Sequence, residues 1–249
     1  MMYLNHRTGN LVRGVTALLA LSFLAAAASS APMLPNLRPQ PAYDLFYVPN
    51  FSGLGTFIRF SVMTANDGTG PLEIRGGDSG AGGQEVWQTI YNTDGTRTER
   101  LAGMFELHPS HNHTHFEGFA EYRLTAAGSP DINAVSSKTS FCLLDTSKVN
   151  RKLPNSPKKP VYTICDTVVQ GISVGWGDEY AYNLPGQLLE ITSVPTGEYE
   201  LTIIADPEER LDESNETDNV ATLRIYIDKE NDSVSVVEEE KPCRGKKCN

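Results

Sequence analysis

Apolar residues recur along this chain in short runs with the spacing of β-strands, and turn residues separate the runs. Six runs stand out: Thr56–Val62, Glu85–Tyr91, Phe116–Leu124, Leu188–Thr192, Tyr199–Ala205 and Val220–Ile227. In the last run every second residue from Ala221 to Ile227 is apolar, which is the period of a strand that buries one face. Helical patterns are scarce. The sequence therefore predicts an all-β fold, a β-sandwich with long loops and little helix.

The two ends of the chain differ from this central region. Val15–Ala28 is almost wholly apolar and follows the basic residues Arg7 and Arg13, the pattern of a secretory signal peptide. An uncleaved membrane anchor is the alternative, although the segment is short for a spanning helix. Apolar residues become few from residue 231 onward. We expect a signal peptide over residues 1–31, one β domain over residues 32–230 and a charged, disordered tail over residues 231–249.

Charge narrows the range of partners. The chain carries a formal net charge of −10. Such an acidic protein is a poor match for nucleic acid and a better match for cationic partners. After cleavage of the signal peptide, we expect a secreted protein with no membrane attachment.

Cysteine usage agrees with export, because cysteines of exported proteins usually pair. The four cysteines allow three pairings in principle. Their separation favours Cys142–Cys165 in the β domain, with Cys243–Cys248 as a small second loop in the tail.

The densest candidate for chemistry is a histidine run, since four of the five histidines lie between His108 and His115. His111, His113 and His115 are two residues apart, so a strand would place them on one face. A bend or bulge is expected, because a straight strand would hold the outer pair about 13 Å apart. Three imidazoles suit copper, zinc, iron or nickel, and composition does not choose among them. A surface histidine patch or a structural zinc site is the alternative.

His108 is expected to lie outside this ligand set, because Pro109 breaks the alternation. A second polar cluster, Asp212–Asn219, precedes the last apolar run. Side-chain oxygens on such a turn suit a hard cation such as calcium. A solvated acidic turn is the alternative.

Three segments together resemble the catalytic domain of the lysyl oxidase family. His111–His115 resembles the family's His-x-His-x-His run, Lys138–Thr146 is similar to its Lys-x-Ser-Phe-Cys-Leu-x-Asp-Thr motif, and Gln170–Tyr180 is similar to a third family motif. Leu34–Pro39 and Pro195–Tyr199 match further landmarks, so the resemblance spans roughly Leu34 to Ile227.

The resemblance implies a copper- and quinone-dependent amine oxidase on a β-sandwich. The three alternating histidines would bind copper, and Lys138 and Tyr180 would be the precursors of the lysine tyrosylquinone cofactor. Asp178 and Asp145 are candidate bases, and Asp178 is grouped with Lys138 and Tyr180 as catalytic.

The resemblance also implies a calcium site on the acidic turn. Asn36 stands where the family has an aspartate, which weakens the site. The implied ligands are the Leu37 carbonyl, Glu213, Asn215, Asp218 and Asn219.

The implied reaction converts primary amines, among them lysine side chains of proteins, to aldehydes with O2, releasing hydrogen peroxide and ammonia. One alternative is an extracellular calcium-binding β-sandwich of the adhesion kind, with a histidine metal site and no oxidase activity. Another is a cupin-like metalloenzyme, because His111, His113 and Glu117 fit the first cupin motif, but no histidine follows His115. The natural amine and the oligomeric state stay open.

Overall fold

The computed structural model describes residues 1–2, 30–80, 83–108, 113–136 and 139–237. These residues form seventeen strands, and their one helical element is the 3₁₀ turn Phe51–Gly53. The predicted all-β fold with little helix is confirmed. No helix in the described ranges is long and apolar enough to cross a membrane. The predicted signal peptide lies, apart from its first and last residues, outside the described residues.

The first sheet carries the histidine strand at one edge. In spatial order its strands are β12 (Val169–Ile172), β5 (Leu72–Gly80), β6 (Gly83–Asn92), β7 (Arg97–His108) and β8 (His113–Phe116), with β1 (Pro32–Met33) beside β6. The pairing of β7 with β8 runs from Phe105 opposite Phe116 to His108 opposite His113. Residues 109–112, which include His111 and the expected bend, lie outside the described residues.

The second sheet contains the strongly alternating strand. Its strands in order are β10 (Ile132–Val135), β9 (Ala120–Ala126), β15 (Gly197–Ala205), β16 (Val220–Asp228) and β17 (Ser233–Val236). Ile225 and Ile227 of β16 are fully buried, which confirms the predicted one-sided strand.

Strand β17 corrects the expected boundary of the tail. Residues 233–236 pair with β16, and Val234 packs against the core. The segment is too short and too polar to be recognised from its sequence, and pairing with β16 supplies its order. Residues 238–249, with Cys243 and Cys248, lie outside the described part of the chain.

The expected strand Phe116–Leu124 is wrong, because two strands of different sheets share it. β8 ends at Phe116 and β9 begins at Ala120. Gly118 between them has φ +71°, a conformation that glycine adopts without steric cost. The chain therefore leaves the first sheet directly after the histidines.

The third sheet carries Tyr180. β13 (Trp176–Tyr180) lies between β11 (Ser147–Lys148) and β4 (Phe57–Asn66). Three further strands pair with β4: β14 (Leu189–Glu190), β2 (Leu37–Pro39) and β3 (Tyr43–Val48).

A chain of aromatic rings connects the sheets through the core. Phe60 of β4 contacts Tyr122 of β9 edge to face, with ring centroids 5.2 Å apart. Tyr122 meets Phe141 at 6.2 Å, and Phe141 meets Tyr180 at 4.7 Å, both again edge to face. Edge-to-face contacts are a favoured aromatic geometry. They fix the Tyr180 ring from the side of the core.

Candidate active site

The candidate active site is organised by residues Thr139–Leu143, named here the bridging segment. Phe141 exchanges two main-chain hydrogen bonds with Phe116 of β8, at 2.7 and 3.0 Å. The N–H of Gly171 in β12 donates to the carbonyl of Leu143 at 3.0 Å. The segment therefore joins β8 and β12, the two edge strands of the first sheet.

The buried side chain of Gln170 reinforces this closure. Its Nε2 donates to the Thr114 carbonyl in β8 at 3.0 Å and to the Asp166 carbonyl at 2.9 Å. Its Oε1 accepts from the N–H of Leu143 at 3.1 Å. Gln170 lies in one of the motifs quoted above, but sequence reasoning gave it no role. The motif gave no sign that this polar side chain would be fully buried.

His113 and His115 lie on the same face of β8, as the alternation predicted. Their Nε2 atoms are 3.0 Å apart, and the ring centroids are separated by 4.9 Å. Two imidazole nitrogens that bind one ion at about 2.0–2.1 Å can be separated by this distance. The pair therefore fits a shared metal ion, and imidazole nitrogens suit copper, zinc, iron or nickel.

His115 is fully buried and is oriented from the bridging segment. Its Nδ1 lies 3.3 Å from Oγ of Ser140. A polar partner on the second ring nitrogen is the usual way in which a protein orients a metal-binding imidazole. Ser140 is a second residue that sequence reasoning left without a role.

The third predicted copper ligand, His111, lies outside the described residues. Within the described ranges, no three His, Cys, Asp or Glu side chains form a cluster that could hold a metal ion. The structure therefore brings together two of the three predicted histidines.

Tyr180 is buried and is held by the same bridging segment. Its hydroxyl accepts a hydrogen bond from the N–H of Cys142 at 2.7 Å and donates one to the Cys142 carbonyl at 3.0 Å. Burial, with a smaller contribution from the nearby charge of Asp178, raises the pKa of Tyr180 well above its ordinary value. The phenol is therefore harder to deprotonate than that of an exposed tyrosine.

Lys138, the other expected cofactor precursor, is outside the described residues. Thr139, the next residue, is described, and its carbonyl accepts a hydrogen bond from the N–H of Ala120 at 3.4 Å. Asp178 is buried on β13, two residues before Tyr180 and on the same face of the strand.

Asp145, the other candidate base, has a structural environment. Its carboxylate accepts hydrogen bonds from the main-chain N–H groups of Val161, Tyr162 and Ser173 and from the Ser173 hydroxyl. Four donors hold this carboxylate in place, so it fastens the loop around residue 160 to Ser173, which directly follows β12. This environment disfavours a role for Asp145 in proton transfer.

The predicted disulfide is confirmed. Cys142 and Cys165 are bonded, with their Cα atoms 5.6 Å apart. Cys142 follows Phe141, and its main chain hydrogen-bonds with the Tyr180 hydroxyl. The disulfide therefore anchors the bridging segment at the residue that holds the phenol.

The acidic turn contains a connected group of buried polar side chains. The carboxyl group of Glu213 accepts a hydrogen bond from the N–H of Leu37 and another from Nδ2 of Asn219, the latter at 2.7 Å. Asn36 donates through Nδ2 to Asp218 at 3.1 Å. Burial raises the pKa of Glu213 to about 8.

Three side-chain oxygens of this group are buried and find no hydrogen-bond partner among the described residues: Oδ1 of Asn36, of Asp218 and of Asn219. Buried acceptors are normally paired, so each such atom needs an explanation. An all-oxygen donor set fits a hard cation. Of the other expected ligands, Leu37 contributes its N–H to Glu213, and Oδ1 of Asn215 accepts from Thr217.

Comparisons of this sequence with known proteins point to one family. A family model described as lysyl oxidase matches residues 86–237. Protein-lysine 6-oxidase of Rattus norvegicus is 32% identical over 125 residues, covering 49% of this chain and 28% of the relative. Lysyl oxidase homolog 2 of Xenopus tropicalis is 30% identical over 122 residues, covering 49% of this chain and 15% of the relative.

The matched stretch is a small part of these relatives, no more than 28% of their length. The family match, in contrast, covers more than half of this chain. It includes strand β8, the bridging segment, the disulfide and Tyr180. The chain therefore belongs to the lysyl oxidase family.

Proposed function

We propose that this protein is a secreted copper-dependent amine oxidase that converts primary amines, including lysine side chains of proteins, to aldehydes with O2, releasing hydrogen peroxide and ammonia. One observation carries the proposal. The bridging segment contacts the imidazole of His115 through Ser140. Two residues later, it contacts the buried phenol of Tyr180 through Cys142. The two groups that such an enzyme must bring together therefore share one support.

His113 and His115 would hold the copper, with His111 as the third ligand. Their 3.0 Å separation between nitrogens supports this, as does the orientation of His115 by Ser140. When bound, copper and a lysine tyrosylquinone made from Lys138 and Tyr180 would supply the redox chemistry that couples amine oxidation to reduction of O2. The remaining steps depend on groups of the chain itself.

Tyr180 is positioned and shielded by its neighbours. The two Cys142 hydrogen bonds fix its oxygen, and the ring of Phe141 packs edge to face on it. Burial excludes water from this side of the ring.

Asp178 would accept the proton from the carbon next to the substrate amine, at a carboxylate oxygen. Its place on β13 beside Tyr180 supports this role, and the hydrogen bonds that hold Asp145 in place disfavour the competing candidate. An acidic chain also attracts cationic amines, which favours such substrates at low ionic strength.

Calcium is proposed to bind the acidic turn through oxygens of Asn36, Glu213, Asp218 and Asn219, with the Leu37 carbonyl and Asn215 as further candidates. The three buried oxygens without a partner support this site. A cation there would fasten the turn before β16 to the segment before β2. This role is structural.

The experiment uses the full chain loaded with copper and exposed to air. We expect about one copper per chain, a covalent phenylhydrazine adduct and hydrogen peroxide production with a primary amine. Tyr180→Phe should keep the copper and lose the adduct and the peroxide, whereas the matched control Tyr182→Phe should keep all three. Copper and calcium binding with neither adduct nor peroxide in the unsubstituted chain would instead favour the adhesion-type alternative.

A further inference from the structure

A basic segment interrupts this acidic chain. The chain as a whole has 31 Asp and Glu residues against 21 Lys and Arg residues. Residues 146–165 contain no Asp or Glu and five cationic residues: Lys148, Arg151, Lys152, Lys158 and Lys159. Chance clustering of charge on a surface is common, so the arrangement in space decides whether the segment forms a site.

Part of this segment lines a cavity of about 360 Å³ next to β11 and β13. All charged side chains that line it are cationic. The lining residues are Lys148, Arg151, Ser156, Lys158 and Trp176. The space is large enough for a small anion with several waters and too small for a folded partner.

Within the described part of the chain, Lys148 is held at this cavity by neutral groups alone. Its Nζ donates to Oγ of Ser156 at 2.7 Å and to the Pro157 carbonyl, and it lies 4.8 Å from the centroid of the Trp176 ring. Trp176 in turn donates through Nε1 to the Pro157 carbonyl at 3.0 Å. An ammonium has three donors, so one remains for a ligand. The charge of Lys148 is therefore fixed in position, and no carboxylate of a described residue pairs with it.

Arg151 and Lys158 have no carboxylate partner either. Seven of the nine arginines in the described ranges form an ion pair, which is the expected outcome in an acidic protein. Within those ranges neither Arg151 nor Lys158 lies within 4.0 Å of a carboxylate oxygen. Three cations thus surround one cavity, and no carboxylate of the described residues neutralises them.

We propose that this cavity binds a tetrahedral oxyanion, a phosphate or a sulfate, either free or as the ester group of a small molecule. The guanidinium of Arg151 can contact two oxygens of such an anion at once, and the two lysines add point charges. A long polyanion is disfavoured, because the rest of the chain is strongly acidic and would repel it. The site does not depend on the proposed oxidase function, and Trp176 precedes Tyr180 by four residues on β13.

The test is calorimetric titration of the metal-free full chain with sodium phosphate, sodium sulfate and glucose 6-phosphate, against sodium chloride at matched ionic strength. We expect saturable binding of an oxyanion and none of chloride. Equal binding of phosphate and its sugar ester identifies the free anion as a sufficient ligand, and tighter binding of the ester identifies a sugar phosphate.

The double variant Arg151→Gln, Lys158→Gln should weaken this binding by about tenfold or more. The matched control Lys152→Gln, Lys159→Gln removes the same charge from the same segment without touching the lining, and should bind almost as the unsubstituted chain does. Circular dichroism checks that both variants are folded. Lack of saturable binding up to about 10 mM, equal weakening in both variants, or binding of a sulfated polysaccharide without binding of either free anion would overturn the proposal.

Discussion

The hydroxyl of Tyr180 hydrogen-bonds with both main-chain groups of Cys142, accepting from its N–H at 2.7 Å and donating to its carbonyl at 3.0 Å. Cys142 is also one half of the Cys142–Cys165 disulfide. The phenol of the proposed cofactor and the covalent cross-link therefore meet at one residue. A substitution that removes the Tyr180 hydroxyl or the disulfide should therefore affect the packing around the other group.

Tyr180→Phe should destabilise the protein as well as prevent cofactor formation. The substitution leaves the buried N–H and carbonyl of Cys142 without their partner, which costs about 1–3 kcal/mol. Urea denaturation of the metal-free protein measures this loss. Tyr182→Phe is the control and should change stability by less than about 0.5 kcal/mol. Coincident unfolding curves for Tyr180→Phe and the unsubstituted protein would contradict the reported hydrogen bonds.

Removal of the disulfide by Cys142→Ala with Cys165→Ala should lower the free energy of unfolding. Closing a loop with a sequence separation of 23 residues stabilises a chain by about 3 kcal/mol in the chain-entropy model. The measurement is urea denaturation of the double variant beside the oxidised parent. If reduction of the parent with a thiol leaves its unfolding midpoint unchanged, the cross-link does not contribute as expected.

The amount of copper bound should distinguish variants that lose a proposed ligand from variants that lose only a residue that orients a ligand. His113→Ala should lose most bound copper after dialysis against a weak chelator, because an imidazole of the converging pair is removed. Ser140→Ala should weaken copper binding by about tenfold, since only the orientation of His115 is affected. His108→Ala is the control and should keep full occupancy in elemental analysis. Full copper occupancy in His113→Ala would remove this histidine from the ligand set.

Gln170→Leu should destabilise the protein by about 3 kcal/mol or more, because the Leu143 N–H and two carbonyls lose their hydrogen bonds in a buried position. The effect should extend to copper binding, since Gln170 ties β12 to the histidine strand. Gln84→Leu, at a more exposed position on β6, is the comparison and should cost less. Equal losses in the two variants would mean that closure of the first sheet does not depend on Gln170.

Calcium at about 1 mM should raise the melting temperature of protein first treated with a chelator, because it binds the folded state alone. Glu213→Gln should reduce this shift strongly, since it removes the carboxyl group that faces the proposed cation and that releases its proton when a cation binds. Glu209→Gln carries the same change outside the group and should keep the shift. A melting temperature that does not respond to calcium in the parent protein would leave the three buried oxygens to be explained by other means.

Much of this architecture could be predicted from local features of the sequence. Alternation from Ala221 to Ile227 predicted β16 and its buried face, because a strand places every second residue on one side. The two-residue spacing of His113 and His115 predicted their shared face for the same reason. The Cys142–Cys165 pairing followed from separation along the chain, and the motif order identified the family. These features depend on neighbours within a few residues or on the order of short motifs.

The tertiary structure decided which distant residues meet. His115 finds Ser140 across 25 positions, and Asn36 finds Asp218 across 182. Gly118 splits one apolar run between two sheets, and Gln170 links the two edge strands of the first of these sheets. Neither Arg151 nor Lys158 could be assigned to a cavity from its place in a basic segment. These contacts depend on which strands pair and in what register, and local periodicity carries no information about either, because it fixes only which face of a strand is buried.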